Sequence, residues 1–392
     1  MGTSTKLPFD ILGHIADVLG ADGSREINQH HAALSALKAL CLTCKFMAPI
    51  CRRHLFSSIR YSTCYGDLWR QNKLSEFLLS HPFIATHYTK NLHLDVRHPF
   101  SKLNYECLQK ISDSSESSLT SVEILSSGSC SWNELPGKTK AIIISLIQVP
   151  TLRHLTVKRI SDFPAATLSR CSGLNMLILS EVNSLSPPGT NDAIERLNLM
   201  TLVITWQSSS GTDNVLATLM GLINQSTTEA ARPASIIAFN RLKYLSFKVR
   251  SYAEVSQMCK LLERAIRLER LEIYVSKPDI RLEGLGSSLA ANPRPKLRVI
   301  TLNLVDIHPQ DNSPLLALDF ELRQLSGRNV IEALEVNATG ELDTVWSPDA
   351  SGWAADFEQL ITDVEAFPVL RKVSVCDVIL PLNRGTTVTH RR

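Results

Sequence analysis

Leu268-Glu269-Arg270-Leu271-Glu272-Ile273 places apolar residues at its first, fourth and sixth positions. The alternation Leu271/Glu272/Ile273 is that of a β-strand with one buried face. The same spacing returns at Leu119/Val122/Ile124, Leu152/Leu155/Val157, Leu174/Leu177/Leu179, Leu199/Leu202/Ile204 and Leu242/Leu245/Phe247. It continues at Leu297/Ile300/Leu302, Ile331/Leu334/Val336 and Leu370/Val373/Val375, with a weaker first copy at Thr89/Leu92/Leu94. Neighbouring copies start 22 to 43 residues apart, which is the period of a repeat architecture.

Helical patterns fill the intervals. Residues 214–225 carry Val215, Leu216, Leu219, Leu222 and Ile223 at helical spacing, residues 252–266 carry Val255, Met258, Leu261, Leu262 and Ile266, and residues 357–364 repeat the idea. A strand followed by a helix, copied about ten times, buries its apolar side against its neighbours. The Leu-x-x-Leu-x-Leu pattern resembles leucine-rich repeats. That resemblance implies an α/β fold over residues 61–382, an irregular solenoid of about ten strand-helix units forming a horseshoe with a parallel concave sheet. The family places Asn or Cys three residues after the last apolar position. Here that site holds Arg97, Ser127, Ile160, Val182, Gln207, Arg250, Ser276, Val305, Thr339 and Val378, so the side-chain ladder of regular repeats is absent and uneven turns are expected. Residues 207–213 and 226–235 are Ser/Thr/Ala/Gly-rich and read as surface loops. Residues 383–392 form a polar, basic tail.

The first 60 residues read differently. Pro8 suits the first turn of a helix, and Ile11, Leu12, Ile15, Val18 and Leu19 follow at helical spacing. Residues 20–31 are polar and read as a loop. A second stripe runs through Leu37, Leu40, Cys41, Cys44, Ala48, Cys51 and Leu55, and Pro49 is expected to split it into two helices. Leu7-Pro8, Ile11-Leu12, Ile15, Cys44-Lys45-Phe46 and Leu55-Phe56-Ser57-Ser58-Ile59 together resemble the F-box, a short all-α module. The resemblance covers about residues 6–60, within a module placed at residues 1–60. It implies docking on a Skp-type adaptor and, through it, on a cullin-RING ubiquitin ligase, with Leu7, Pro8, Ile11, Leu12, Ile15, Phe46, Leu55 and Phe56 assigned to the module and its adaptor surface. The bland alternative is an N-terminal helical cap for the repeats.

Composition excludes several classes. Hydrophobic content of 44% is that of a globular chain. A net charge of +3, from 41 basic and 38 acidic residues, gives no general case for nucleic acid or membrane. Apolar runs such as Ala141 to Ile147 are too short to cross a bilayer. The N-terminus lacks the basic-then-apolar pattern of a signal peptide, so a cytoplasmic or nuclear location is expected. Nine scattered cysteines argue for reduced thiols over a disulfide framework.

Three constellations invite chemistry and are better explained by packing or, for the histidine pair, by solvation. Cys41-x-x-Cys44-x6-Cys51-x-x-His54 has metal-ligating residue types, but its cysteines share the stripe of Leu37 and Leu40 and lack the separated pairs of a zinc ribbon. Gly137-Lys138-Thr139 resembles the end of a phosphate loop, but the earlier glycine that the loop requires is Trp132, and residues 138–148 read as a repeat helix. His30-His31 lies in the polar loop. No metal, no cofactor and no catalytic residue is expected.

The functional expectation is therefore a non-catalytic substrate adaptor of a Skp–cullin–F-box ligase, with an unidentified protein substrate; the rival is a leucine-rich interaction scaffold. Residues between the apolar positions of each strand point to the concave face. They include His93, Asp95, Glu123, His154, Lys158, Tyr244, Lys248, Arg270, Glu272, Tyr274, Glu335 and Lys372, and in the middle strands Met176, Ile178 and Val203. An apolar centre with Tyr and Arg nearby has the make-up of a binding hot spot. His154, Lys158, Met176, Ile178, Val203, Tyr244, Lys248, Arg270, Glu272 and Tyr274 are the expected substrate contacts.

Overall fold

A computed structural model describes residues 9–21, 27–62, 68–187, 196–205, 213–221, 235–277, 280–292, 295–305, 318–327, 329–340 and 359–379. Leu7, Pro8, most of the two Ser/Thr-rich loops and the tail at 383–392 lie outside the described residues. The chain forms two compact units, Met1–Thr156 and Val157–Arg392.

The first unit opens with α1 (Phe9–Ala21), α2 (Ile27–Thr43) and α3 (Met47–Leu55). Ala16, Leu37, Met47 and Cys51 form their core, and Leu12, Leu19, Leu40, Cys41, Ile50 and Leu55 pack on it. Asp17 on α1 accepts from Arg53 and, at 2.9 Å, pairs with His54 on α3. The Arg53 hydrogen bond, with His54 second, holds the Asp17 carboxyl below its usual value. Gly20 lets α1 approach this corner, because a Cβ there would meet the His54 ring at 2.1 Å.

Three expectations change here. Residues 27–31, including His30 and His31, belong to α2 and not to a loop. The helix break falls at residues 44–46, while Pro49 sits in the first turn of α3, where its missing N–H costs nothing. That break resets the helical phase, so Cys44 is exposed and Cys41 half-buried; among the three cysteines of the stripe only Cys51 is in the core.

Strand-helix units follow. The first unit holds β1 (Ser58–Tyr61), β2 (Asn91–Asp95), β3 (Ser121–Ser131) and the start of β4 (His154–Ser161), in that sheet order, with α4 (Leu68–Ser80), α5 (Lys102–Asp113) and α6 (Gly137–Ile147) between them. Parallel pairing aligns Ile59 with Leu92 and Val122, and Tyr61 with Leu94 and Ile124. Phe56/Ile59/Tyr61 is thus one more copy of the apolar spacing, lying inside the residues read as the end of the helical module. The helical part ends at Leu55, and the expected boundary at residue 60 falls within β1. Gly137-Lys138-Thr139 starts α6, where Thr139 is buried and bonded to the Tyr105 hydroxyl at 2.7 Å.

The second unit continues with β4, β6 (Met176–Ser180), β8 (Thr201–Thr205), β9 (Tyr244–Val249), β10 (Arg270–Val275), β11 (Val299–Val305), β12 (Ala333–Gly340) and β13 (Lys372–Ile379), again neighbours in chain order. Two short strands, β5 (Phe163–Pro164) and β7 (Leu185–Ser186), pair separately. Its helices are α7 (Ala165–Ser169), α8 (Asp213–Met220), α9 (Tyr252–Arg264), α10 (Leu285–Ala290) and α11 (Leu318–Arg323). One register row holds Leu177, Leu202, Leu245, Leu271, Ile300, Leu334 and Val373. Those before Val373 are buried to 1% exposure or less, so the fold is α/β with a long parallel sheet whose apolar face is closed.

A backbone ladder runs along the starts of these strands. The Met200 carbonyl accepts from the N–H groups of Lys243 and Tyr244, the Lys243 carbonyl from Glu269 and Arg270, and the Glu269 carbonyl from Arg298 and Val299. The Arg298 and Glu332 carbonyls do the same for the next two strands, and Ser57, Lys90 and Thr120 repeat it in the first unit. At the far ends of two strands, the site of the missing polar ladder holds Ile160 and Val182, both fully buried.

Helices are locked by specific polar contacts. The Glu321 carboxylate, on α11, accepts from the N–H groups of Gly284 at 3.0 Å and Gly286 at 2.7 Å, which satisfies donors that the start of α10 leaves unpaired. A Cβ on Gly286 would meet the Glu321 carbonyl at 1.9 Å. We expect Gly286→Ala to cost about 1–3 kcal/mol through overpacking, and Glu321→Gln a similar amount through a buried donor losing its carboxylate. Urea unfolding checks both; midpoints equal to wild type would remove this clamp from the account.

Candidate binding surface on the open face of the sheet

The residues between the apolar positions form rows on the half-exposed face of the second unit. One row reads Met176, Thr201, Tyr244, Arg270, Val299, Ala333 and Lys372. The next reads Ile178, Val203, Ser246, Glu272, Thr301, Glu335 and Ser374. A third places Lys248, Tyr274, Asn303 and Asn337 side by side. Neighbouring parallel strands lie about 4.8 Å apart, so side chains in a row touch.

Glu272 is the centre. Its carboxylate accepts from the Tyr244 hydroxyl, from the Tyr274 hydroxyl at 2.8 Å and from the Asn303 amide at 3.3 Å. The Asn337 amide in turn donates to Asn303 at 2.8 Å. The Arg270 guanidinium stands 5.7 Å above the Tyr244 ring, a cation–π distance. Beside this group, Glu335 accepts from Lys372 and, at 3.3 Å, from Thr301. The Lys372 hydrogen bond keeps the Glu335 carboxyl below its usual value. Burial, and then the Glu272 carboxylate, push the Tyr274 phenol up to about 12; the same causes in the same order raise Tyr244.

Of the ten expected substrate contacts, Tyr244, Arg270, Glu272 and Tyr274 meet in this network. Lys248 is half-buried in the row of Tyr274, and Met176, Ile178 and Val203 are half-buried on β6 and β8. His154 is exposed and Lys158 half-buried on β4. Asp95, expected on the face, is 9% exposed and accepts from the Arg97 N–H; Glu123 and His93 pair at 2.6 Å within the first unit. Thr301, Asn303 and Asn337 were missed. The alternation in Leu297-Arg298-Val299-Ile300-Thr301-Leu302-Asn303 carried the signal, but short polar residues without charge did not stand out.

A second surface lies on the helices of the first unit. Ile11, Ile15 and Val18 share one side of α1 and are 39 to 47% exposed, while Leu42 and Phe46, flanking the break between α2 and α3, are 87% and 48% exposed. Leu12 and Leu55 instead pack on the helical core. Phe56 is half-buried and stacks on Phe77 of α4, ring centroids 5.3 Å apart.

Among the described residues no group of three His, Cys, Asp or Glu is placed to hold a metal, and no helix is long and apolar enough to cross a membrane. His54, the fourth member of the cysteine constellation, is engaged by Asp17. No known protein family matches the chain, and no curated protein is significantly similar to it.

The Tyr274 shift has a measurable sign. A raised pKa means stability that is fully present below the unfolded tyrosine value of about 10 and lost as pH rises towards about 12. Tyr274→Phe should therefore flatten the loss of stability across that window, and the ultraviolet difference titration against wild type should show a phenol with a midpoint near 12. A midpoint near the ordinary tyrosine value would break the proposed contact with Glu272.

Proposed function

We propose that the chain is a substrate-recognition subunit of a Skp–cullin–F-box ubiquitin ligase. In this reading α1 to α3 act as an F-box that docks a Skp-type adaptor, and the strand-helix units act as leucine-rich repeats that hold a protein substrate on the open face. The observation that carries the reading is the second apolar side of α1. Ala16, Leu12 and Leu19 serve the helical core, yet Ile11, Ile15 and Val18 remain 39 to 47% exposed, as a docking surface requires. Burying such side chains is worth roughly 1.5–3 kcal/mol each as an upper guide, of which association costs take back a large part.

The mechanism is proximity. Holding adaptor and substrate on one chain raises the effective concentration of substrate near the charged conjugating enzyme, and no side chain of this protein needs to react. On the open face, Arg270 and Lys372 are exposed and offer charge, while Tyr244 and Tyr274 offer flat area at low entropic cost.

A non-ligase scaffold, with the helices as a cap, is favoured by a different contact. Phe56 stacks on Phe77 and α3 packs beside the π-helical turn Ile84–Tyr88, which fastens the helices to the first strand-helix unit. The two readings separate in one experiment. Ile11→Asp with Ile15→Asp should reduce co-purification of a Skp adaptor at least about tenfold, the equivalent of 1.4 kcal/mol, and leave the melting temperature within a few degrees. A large fall in melting temperature, or adaptor capture unchanged by the pair, would favour the cap.

A further inference from the structure

Arg196, Arg241 and Arg264 line one open pocket of about 650 Å³, together with Asn198, Asn240 and Phe239. The pocket stands apart from the Glu272 network: Arg241 ends the 3-10 turn Phe239–Arg241 just before β9, and Arg264 ends α9. Its floor is built, not loose. Leu197 and Ile237 form a parallel bridge, Leu197 N–H donates to Ile236 and Ala238 N–H donates to Leu197, and Ile236, Ile237 and Leu197 are at most 2% exposed. Three arginines thus line one pocket on a fixed backbone, and none of its lining residues carries a carboxylate. Guanidinium stays charged at every relevant pH and pairs with planar oxygen sets through two parallel bonds.

We propose that this pocket binds a phosphoryl group of the monoester type, borne by a phosphorylated side chain of a protein partner or by a small phosphate ester. Three arginines lining one pocket match a dianion better than the single charge of a carboxylate. They also form a cluster and not a track, which disfavours a polynucleotide backbone. The volume exceeds what bare phosphate needs and falls within the range of pockets for larger ligands. The inference does not depend on the ligase reading.

Calorimetric titration of the full chain with phenyl phosphate, benzoate, a neutral phosphoserine peptide and a short mixed-sequence RNA tests it. Phenyl phosphate is expected to bind saturably, more tightly than benzoate, and to gain affinity as pH rises from about 5 to 7.5, across the second phosphate ionisation near pH 6. Arg196→Gln, Arg241→Gln and Arg264→Gln together should weaken it at least tenfold. Because the Arg264 guanidinium also donates to the Met220 carbonyl at 3.3 Å, the Arg196/Arg241 pair alone serves as the second variant, with melting temperature as the fold check. A phosphopeptide tighter than phenyl phosphate points to a modified protein, and equal affinities point to a small ester. Affinity unchanged by both variants, benzoate binding as tightly as phenyl phosphate, or RNA binding more tightly than the peptide would overturn the proposal.

Discussion

The rest of the fold depends on a carbonyl that accepts two hydrogen bonds, an arrangement repeated at the starts of β2, β3, β4 and β8 to β13. One carbonyl, just after the first apolar position of a unit, accepts from two consecutive N–H groups of the next unit, as Lys243 does for Glu269 and Arg270. A carbonyl oxygen has two lone pairs, so it can serve both. Once that point is pinned, the residues two and four places on are in register, and a slip of one residue would turn every apolar side chain to the wrong face. Insertions are then harmless if they fall between units, because the entropy of loop closure grows slowly with length. This is how copies 22 to 43 residues apart build one regular sheet without a side-chain ladder. At the other end of the strands Ile160 and Val182 replace polar rungs by burial alone.

The sheet was legible because its signal is simple. Leu271 and Ile273 flank Glu272, and the structure buries the first two and half-exposes the third. The earliest strand was not legible. Phe56, Ile59 and Tyr61 carry the right spacing, but they follow directly on α3, and a helix end and a strand start share the same few apolar residues. The cysteine stripe failed for a related reason. A stripe drawn across residues 37 to 55, with its break expected at Pro49, keeps one helical phase through residue 44, whereas the turn at residues 44–46 restarts the count earlier and leaves Cys44 exposed. The Asp17 pair with Arg53 and His54 joins α1 to α3 across the whole of α2, and no local pattern announces it.

The candidate surface was legible as positions and not as a network. Spacing placed Tyr244, Arg270, Glu272 and Tyr274 on one face, but which of them meet depends on register across strands 26 and 29 residues apart in their starts. Register turns a list into a centre. Glu272 gathers two phenols and an amide, and the charge of Arg270 sits over one of those rings. Its carboxylate is a fixed acceptor that orients two aromatic rings, and side chains ordered in advance lose less entropy in any later contact.

The two apolar sides of α1 pose a sharper constraint than the sheet face does. An exposed helix needs one apolar stripe to stay on its domain, and Leu12, Ala16 and Leu19 supply it. Ile11, Ile15 and Val18 add nothing to that core, and their exposure costs solubility. The helix as a whole has the composition of one covered from two directions, of which α2 and α3 occupy one. Asp17 and Gly20 fix which side that is, the first by pairing with Arg53 and His54 and the second by admitting the His54 ring. Rotating α1 to bury the isoleucines would break the ion pair and drive a polar side chain into the core. The outward stripe is therefore held outward by the packing of the inward one.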